Sequence, residues 1–158
     1  MKPDNIVIDA DGHTRLTDFG LSKEQITDNH SAMSFCGSIA YLAPEMIQRK
    51  GHGKAVDWYL LGVLIYEMLT GIPPFYSKNR KSMIQNIMHS TIKVPTYVSK
   101  DAQNLLITLL TKEPQKRLGA GELDAFEIKR HPWFASLNWK DVYNRKLKVP
   151  PIRKKETL

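Results

Sequence analysis

Lys2-Pro3-Asp4-Asn5-Ile6-Val7-Ile8-Asp9-Ala10-Asp11-Gly12-His13-Thr14-Arg15-Leu16-Thr17-Asp18-Phe19-Gly20 is the stretch on which the reading of this chain turns. Residues 5–8 form a short apolar run with β-branched side chains, Asp9-Ala10-Asp11-Gly12 is a strong turn signal, and residues 14–17 form a second short run. That pattern predicts a β-hairpin. Asn5 and Asp18 flank the hairpin, so its pairing brings one amide and one carboxylate together. Magnesium prefers hard oxygen ligands and keeps several waters, and such a pair of side chains suits it. Either residue alone reads more simply as a turn residue.

Downstream, residues 21–40 are polar with no sustained period, long for a loop inside a compact domain and therefore of functional interest. Pro44 stands where a first helical turn accepts proline, and residues 45–48 are expected to be a short helix ended by Gly51-His52-Gly53. Residues 54–70 are predicted helical, closed by Gly71 and stopped by Pro73-Pro74. Their apolar stretch, 56–69, is interrupted by Asp57 and Glu67 and is too short to cross a bilayer, so it reads as a buried core helix. Residues 80–89 carry Met83, Ile84, Ile87 and Met88 as a helical stripe. Ser99 is a candidate N-cap for another helix, with Leu105, Leu106, Leu109 and Leu110 on its buried face and Glu113-Pro114 at its end. Residues 123–130 are expected to form a short helix before His131-Pro132-Trp133-Phe134. Beyond Leu137 the sequence reads as an extended tail through Pro150-Pro151. The fold class is mainly α with one small hairpin.

At 158 residues the chain suits one domain with a real core. A hydrophobic share of 42% and a charged share of 25% do not favour disorder. The single cysteine, Cys36, permits no internal disulfide and fits a reducing compartment. The opening residues lack the apolar centre of a signal peptide. Of the formal charge of +7, residues 140–158 carry seven Lys or Arg against two Asp or Glu. Such a tail reads as a solvated segment. No interleaving of aromatic and basic residues points to nucleic acid.

Three blocks in order, Lys2-Pro3-Asp4-Asn5, Asp18-Phe19-Gly20 and Ala43-Pro44-Glu45, match consecutive parts of the protein-kinase signature set. With them, the chain resembles the C-terminal lobe (C-lobe) of a eukaryotic Ser/Thr protein kinase, and within that family the AGC group. Ser34-Phe35-Cys36-Gly37-Ser38, Tyr41-Leu42-Ala43-Pro44-Glu45 and Val56-Asp57-Trp58 resemble that group's activation segment and central helix. Arg117-Leu118-Gly119 and His131-Pro132-Trp133-Phe134 resemble the end of its kinase domain. The resemblance divides the chain into a partial kinase domain, residues 1–134, and the start of an AGC-type C-terminal tail, residues 135–158. The hairpin then carries the Asp-Phe-Gly segment.

The resemblance implies transfer of a phosphoryl group from MgATP to Ser or Thr of basic protein substrates. Asn5 and Asp18 would hold magnesium and the nucleotide. Lys2 would reach the transferred phosphate, and Ser38 would help fix the catalytic loop. Ser34 would be phosphorylated by an upstream kinase, ordering its loop where Arg or Lys residues face it. Asp4 and Glu67 would face an arginine of the substrate. Glu45 and Arg117 would form a structural ion pair, and Asp57 would cap the catalytic-loop backbone. The implied setting is cytoplasmic, with the nucleus as the alternative.

Two features depart from the family's pattern. Ile39-Ala40 stands where the group has Pro-Glu, which removes an acidic residue from the substrate face. The Phe-x-x-Phe motif that ends many AGC tails does not occur. On the signature H-R-D-L-x-x-x-N, Asn5 is the Asn, and the catalytic Asp would fall one position before Met1. The 158 residues also hold no Gly-rich loop and no strand lysine. The expectation is therefore a kinase fragment without its N-terminal lobe (N-lobe), inactive by itself. The alternative is a catalytically dead lobe that docks substrates or a kinase. A buried Asp57 without partners and exposed apolar surface at Leu60, Leu64 and Ile65 are expected in such a piece.

Overall fold

The computed structural model describes residues 2–19 and 39–149. After a single 3-10 turn at Pro3–Asn5, strand β1 (Ile6–Ile8) pairs antiparallel with β2 (Thr14–Leu16), in the register Ile6 to Leu16, Val7 to Arg15 and Ile8 to Thr14. The turn closes through Asp9 N–H to the His13 carbonyl at 2.8 Å and Gly12 N–H to the Asp9 carbonyl at 3.0 Å. Gly12 has φ +88°, the left-handed residue that such a turn requires before the second strand begins. The predicted hairpin is present, one residue shorter at each outer end.

Among the described residues six helices follow: α1 (Pro44–Gln48), α2 (Ala55–Thr70), α3 (Arg80–His89), α4 (Lys100–Leu109), α5 (Ala125–Lys129) and α6 (Trp139–Tyr143). The chain is mainly α, as expected. Gly71 closes α2 in the left-handed conformation, its N–H bonding the Glu67 carbonyl. The Ser99 side chain caps α4 by accepting from Ala102 N–H. Asn79 caps α3 in the same way through Ser82 N–H.

The centre of the molecule is the packing of α2 against α4. Helix α2 is apolar on most of its circumference and buries Val56, Tyr59, Leu60, Val63, Leu64 and Ile65, the pattern of a helix inside a core rather than on a surface. Gly62 allows the close approach: a Cβ there would lie 2.9 Å from Leu109 Cβ. Two apolar clusters result. One joins Val56, Tyr59, Leu60 and Val63 to Phe75, Ile87 and Leu110. The other joins Ile65 and Tyr66 to Leu105, Leu106, Leu109 and Ile128.

Leu60, Leu64 and Ile65 are therefore buried, at 6%, 6% and 4% exposure, contrary to the sequence expectation. Leu60 packs in the cluster with Ala43, Phe75, Ile87 and Leu110, and Ile65 in the cluster with Leu105, Leu106, Leu109 and Ile128. The apolar surface that stays open on α2 is at its C-terminal end, at Met68 and Leu69, continuing to Ile72. A second correction concerns residues beyond Leu137. Helix α6 forms there, because the Asn138 side chain accepts from Lys140 N–H and Asp141 N–H. The helix predicted at 123–130 is confined to Ala125–Lys129. Among the described residues no helix is long and apolar enough to cross a membrane.

Candidate metal and phosphate site

The hairpin brings Asn5 and Asp18 together as its pattern requires. Asn5 Nδ2 donates to Asp18 Oδ2 at 3.5 Å, the long end of the range. Two further bonds fix their backbones: Thr17 N–H and Thr17 Oγ1 both donate to the Asn5 carbonyl, at 2.8 and 3.1 Å. Asp18 has φ +61°, a left-handed conformation that Asp tolerates better than most residues. That backbone turns the chain sharply at the carboxylate, which stays exposed. Sequence pattern located this residue but not its conformation.

The donor set consists of one carboxylate and one side-chain amide, and no cluster of three or more His, Cys, Asp or Glu occurs among the described residues. Such a pair does not make a closed cage for a cation. It fits magnesium that takes its other ligands from phosphate oxygens and water. Lys2 lies beside the pair in sequence, and its Nζ sits 3.4 Å from Asp4 Oδ2. Asp4 itself is widely open to solvent.

Another carboxylate that the sequence singles out comes from α2. Glu67 Oε2 accepts from the Tyr41 hydroxyl at 2.6 Å. Desolvation, the bond to Glu67 and the charges of Glu67 and Asp4 raise the Tyr41 phenol above its ordinary value. Tyr41 thus stands in the field of both acidic residues that the sequence proposes for substrate recognition. No local sequence signal assigns Tyr41 a role, since its partner is 26 positions away. Ala40, next to it, contributes no charge.

Glu45 and Arg117 meet in the interior. Arg117 Nη1 and Nη2 donate to Glu45 Oε1 and Oε2 at 2.6 and 3.0 Å, a bidentate pair. Arg117 also donates to the Ala55 carbonyl at 2.7 Å and, through Nε, to the Thr111 carbonyl at 3.1 Å. Its guanidinium carbon lies 4.9 Å from the Tyr59 ring centre. Arg117 is 2% exposed and Glu45 6%. The pair ties α1 to the start of α2 and to the segment after α4.

Asp57 lies on the first turn of α2 and is exposed, not buried as the sequence suggested. Desolvation by the surrounding protein nevertheless raises its carboxyl above the ordinary value. Its neighbour Trp58 donates Nε1–H to Asp124 at 2.8 Å. Ser34 and Ser38 lie outside the described residues, as do the tail residues from Pro150 onward.

Known proteins resemble this chain over nearly all of its length. The family described as "Protein kinase domain" matches residues 1–134. "Ribosomal protein S6 kinase beta" of Caenorhabditis elegans is 49% identical over 150 residues, which is 95% of this chain and 27% of that protein. "Protein kinase 2" of Dictyostelium discoideum is 48% identical over 94% of this chain and 30% of its own length. "Ribosomal protein S6 kinase alpha-2" of Homo sapiens is 46% identical over 95% and 20%. The chain spans between a fifth and a third of the length of these relatives.

Proposed function

The chain belongs to the protein kinase domain family, in its serine/threonine AGC branch, and on that premise we propose that Lys2, Asn5 and Asp18 form the metal and phosphate part of a phosphoryl-transfer site. The observation that carries this reading is the meeting of Asn5 and Asp18 at the base of the hairpin. Phosphoryl transfer asks a protein mainly for position and charge. Magnesium, when bound with ATP, supplies neutralisation of the phosphate oxygens. Asp18 provides the anionic oxygen for the cation, Asn5 a neutral one, and Lys2 a compact positive charge for the transferred phosphate.

Asp4 and Glu67 are the proposed readers of a basic substrate. Asp4 is an exposed carboxylate and Glu67 one held by Tyr41, and the charges of both act on the Tyr41 hydroxyl. An arginine near the target serine pairs well with such groups. The charge on this face is smaller than in kinases that carry an acidic residue at the position of Ala40, so the preference for arginine is shallower. Ser34 is the proposed site of activating phosphorylation. The proposed setting is the cytoplasm.

The 158 residues by themselves hold no Gly-rich loop to cover ATP and no strand lysine to pair its phosphates. The isolated polypeptide is accordingly proposed to be inactive. The test is phosphate transfer from radiolabelled MgATP to a serine peptide with arginines before the serine. The native gene product transfers label, its Asp18→Asn variant does not, and the bare 158-residue polypeptide does not. A native product that transfers nothing to serine or threonine while binding the peptide would favour a docking lobe instead.

A further inference from the structure

Asp9 is a hub that the proposed chemistry does not use. Its Oδ1 accepts from Asp11 N–H at 3.2 Å and His13 N–H at 2.9 Å, which sets the hairpin turn. Its Oδ2 accepts from Arg15 Nε at 3.1 Å, on the neighbouring strand. The same oxygen lies 3.6 Å from Arg145 Nη1, which comes from the far end of the described chain. The His13 N–H bond, opposed by some desolvation and reinforced by Arg15, holds the Asp9 carboxyl below its ordinary value. The Asp9 side chain is only 16% exposed, although the strands around it are open, with Val7, Ile8 and Leu16 each above 40%.

The position of Arg145 is itself fixed. It adopts φ +56°, an uncommon conformation for a residue with a side chain. That backbone closes α6, with Arg145 N–H bonding the Val142 carbonyl and Lys146 N–H the Asp141 carbonyl at 2.8 Å. Helix α6 is in turn anchored on the body. Trp139 Nε1 donates to the Lys129 carbonyl at 3.0 Å, and its ring lies 5.3 Å from Phe134. A continuous set of contacts therefore runs from the helical body through Trp139, α6 and Arg145 to Asp9. It ends on a two-stranded hairpin that, among the described residues, packs extensively on none of the helices, and an isolated hairpin of this size has little stability of its own.

We propose that Asp9 and Arg145 are positioning residues: the α6 segment clamps the hairpin turn through this ion pair and so holds Asn5 and Asp18 in register. Removing the clamp loosens the hairpin without disturbing the helical core. The inference about metal rests on the reading of Asn5 and Asp18 given above, while the clamp itself does not. A half-exposed ion pair is weak alone. This one is part of a network in which one carboxylate meets two guanidinium groups and two backbone N–H donors.

The test uses the 158-residue chain and four variants, Arg145→Glu, Arg145→Lys, Asp9→Asn and Asp9→Ala. Amide hydrogen exchange is read at Asp9 and Thr17 in the hairpin and at Leu105 to Leu109 in α4. Mn2+ with ATP is titrated as the probe of the metal pair. Arg145→Glu is expected to speed hairpin exchange about two- to fivefold, a span set by exposed ion pairs, with α4 unchanged. Arg145→Lys restores most of the protection. Asp9→Asn loses the ion pairs but retains an oxygen for the turn, so its effect is smaller than that of Asp9→Ala. Mn2+ affinity falls in the same order. Unchanged hairpin exchange in Arg145→Glu, or equal acceleration in α4, overturns the clamp. Wild-type chain that binds Mn2+ with an affinity indifferent to Arg145→Glu overturns the coupling to the metal pair. Wild-type chain that shows the exchange effect but binds no Mn2+ supports the clamp and counts against the metal reading alone.

Discussion

Replacing Arg117 by Met removes the most connected side chain of the interior. The guanidinium gives two bonds to Glu45 and one each to the Ala55 and Thr111 carbonyls. The substitution leaves Glu45, 6% exposed, without its counter-charge and leaves the Ala55 carbonyl without the Arg117 bond. Removing one partner of a buried pair costs about 3–5 kcal/mol. For a domain of this size each kcal/mol lowers the melting temperature by roughly 2–4 °C, so a fall of at least about 6 °C is expected. Glu45→Gln costs less, because Arg117 retains two carbonyl acceptors and an amide oxygen can still accept one bond. The double variant Glu45→Gln with Arg117→Met removes both charges and is expected to recover part of the loss. The assay is urea unfolding followed by circular dichroism, with all four proteins in a double-mutant cycle. A cost below about 1 kcal/mol for Arg117→Met, or strict additivity of the two substitutions, would refute the argument that this pair ties α1 to the core.

Other consequences follow from single contacts. Gly119 has φ +85°, and a Cβ there would lie 2.7 Å from Trp58 Cδ1, a ring held by its bond to Asp124. Gly119→Ala is expected to cost roughly 2–4 kcal/mol in urea unfolding from overpacking and backbone strain together. Gly71→Ala, at φ +84° with nothing within 4 Å, is expected to cost only about 1 kcal/mol. His131 is buried, its Nδ1 accepts from Trp133 N–H and its Nε2 faces the Asn104 oxygen at 2.9 Å, so the ring is neutral with its proton on Nε2. Desolvation lowers its folded pKa below the ordinary 6.5. The unfolded chain therefore takes up the proton first. Stability is full above pH 6.5 and falls as pH drops through the folded pKa, and a His131→Gln variant loses that part of the pH dependence in melting curves. Lys112 donates to the Ile87 carbonyl at 2.6 Å and sits over the Phe75 ring, and desolvation lowers its pKa to about 8. Its contribution makes stability rise with pH between about 8 and 10.5, a slope that Lys112→Met removes from urea titrations.

Much of the fold was readable because its signals are local. The hairpin turn follows from Asp9 to Gly12, the α4 cap from Ser99, and the end of α2 from Gly71. Asn5 and Asp18 were identifiable because a hairpin brings its two ends together whatever surrounds it. The contact of Glu45 with Arg117, 72 residues apart and 2.6 Å long, has no local sequence signal, and its expectation rests only on the family resemblance. Two features lack a local signal, and a third has only a cap. The burial of Leu60, Leu64 and Ile65 depends on how α4 crosses α2, and Gly62, which permits that crossing, looks in sequence like an ordinary helical glycine. The bond between Tyr41 and Glu67 joins two segments that no periodicity relates. Helix α6 was missed because its five residues, Trp139–Tyr143, are too few to show a period, and its signal is the cap at Asn138.

In the proposed chemistry Asn5 and Asp18 act together on a divalent cation. Paramagnetic broadening by Mn2+ with ATP, read residue by residue in the amide spectrum of the 158-residue chain, tests it most directly. Broadening is expected to centre on residues 2–5 and 17–18 and to vanish in Asp18→Ala, while the signals of α2 and α4 stay unchanged. Folded protein whose signals broaden elsewhere, or whose broadening survives Asp18→Ala, would contradict it.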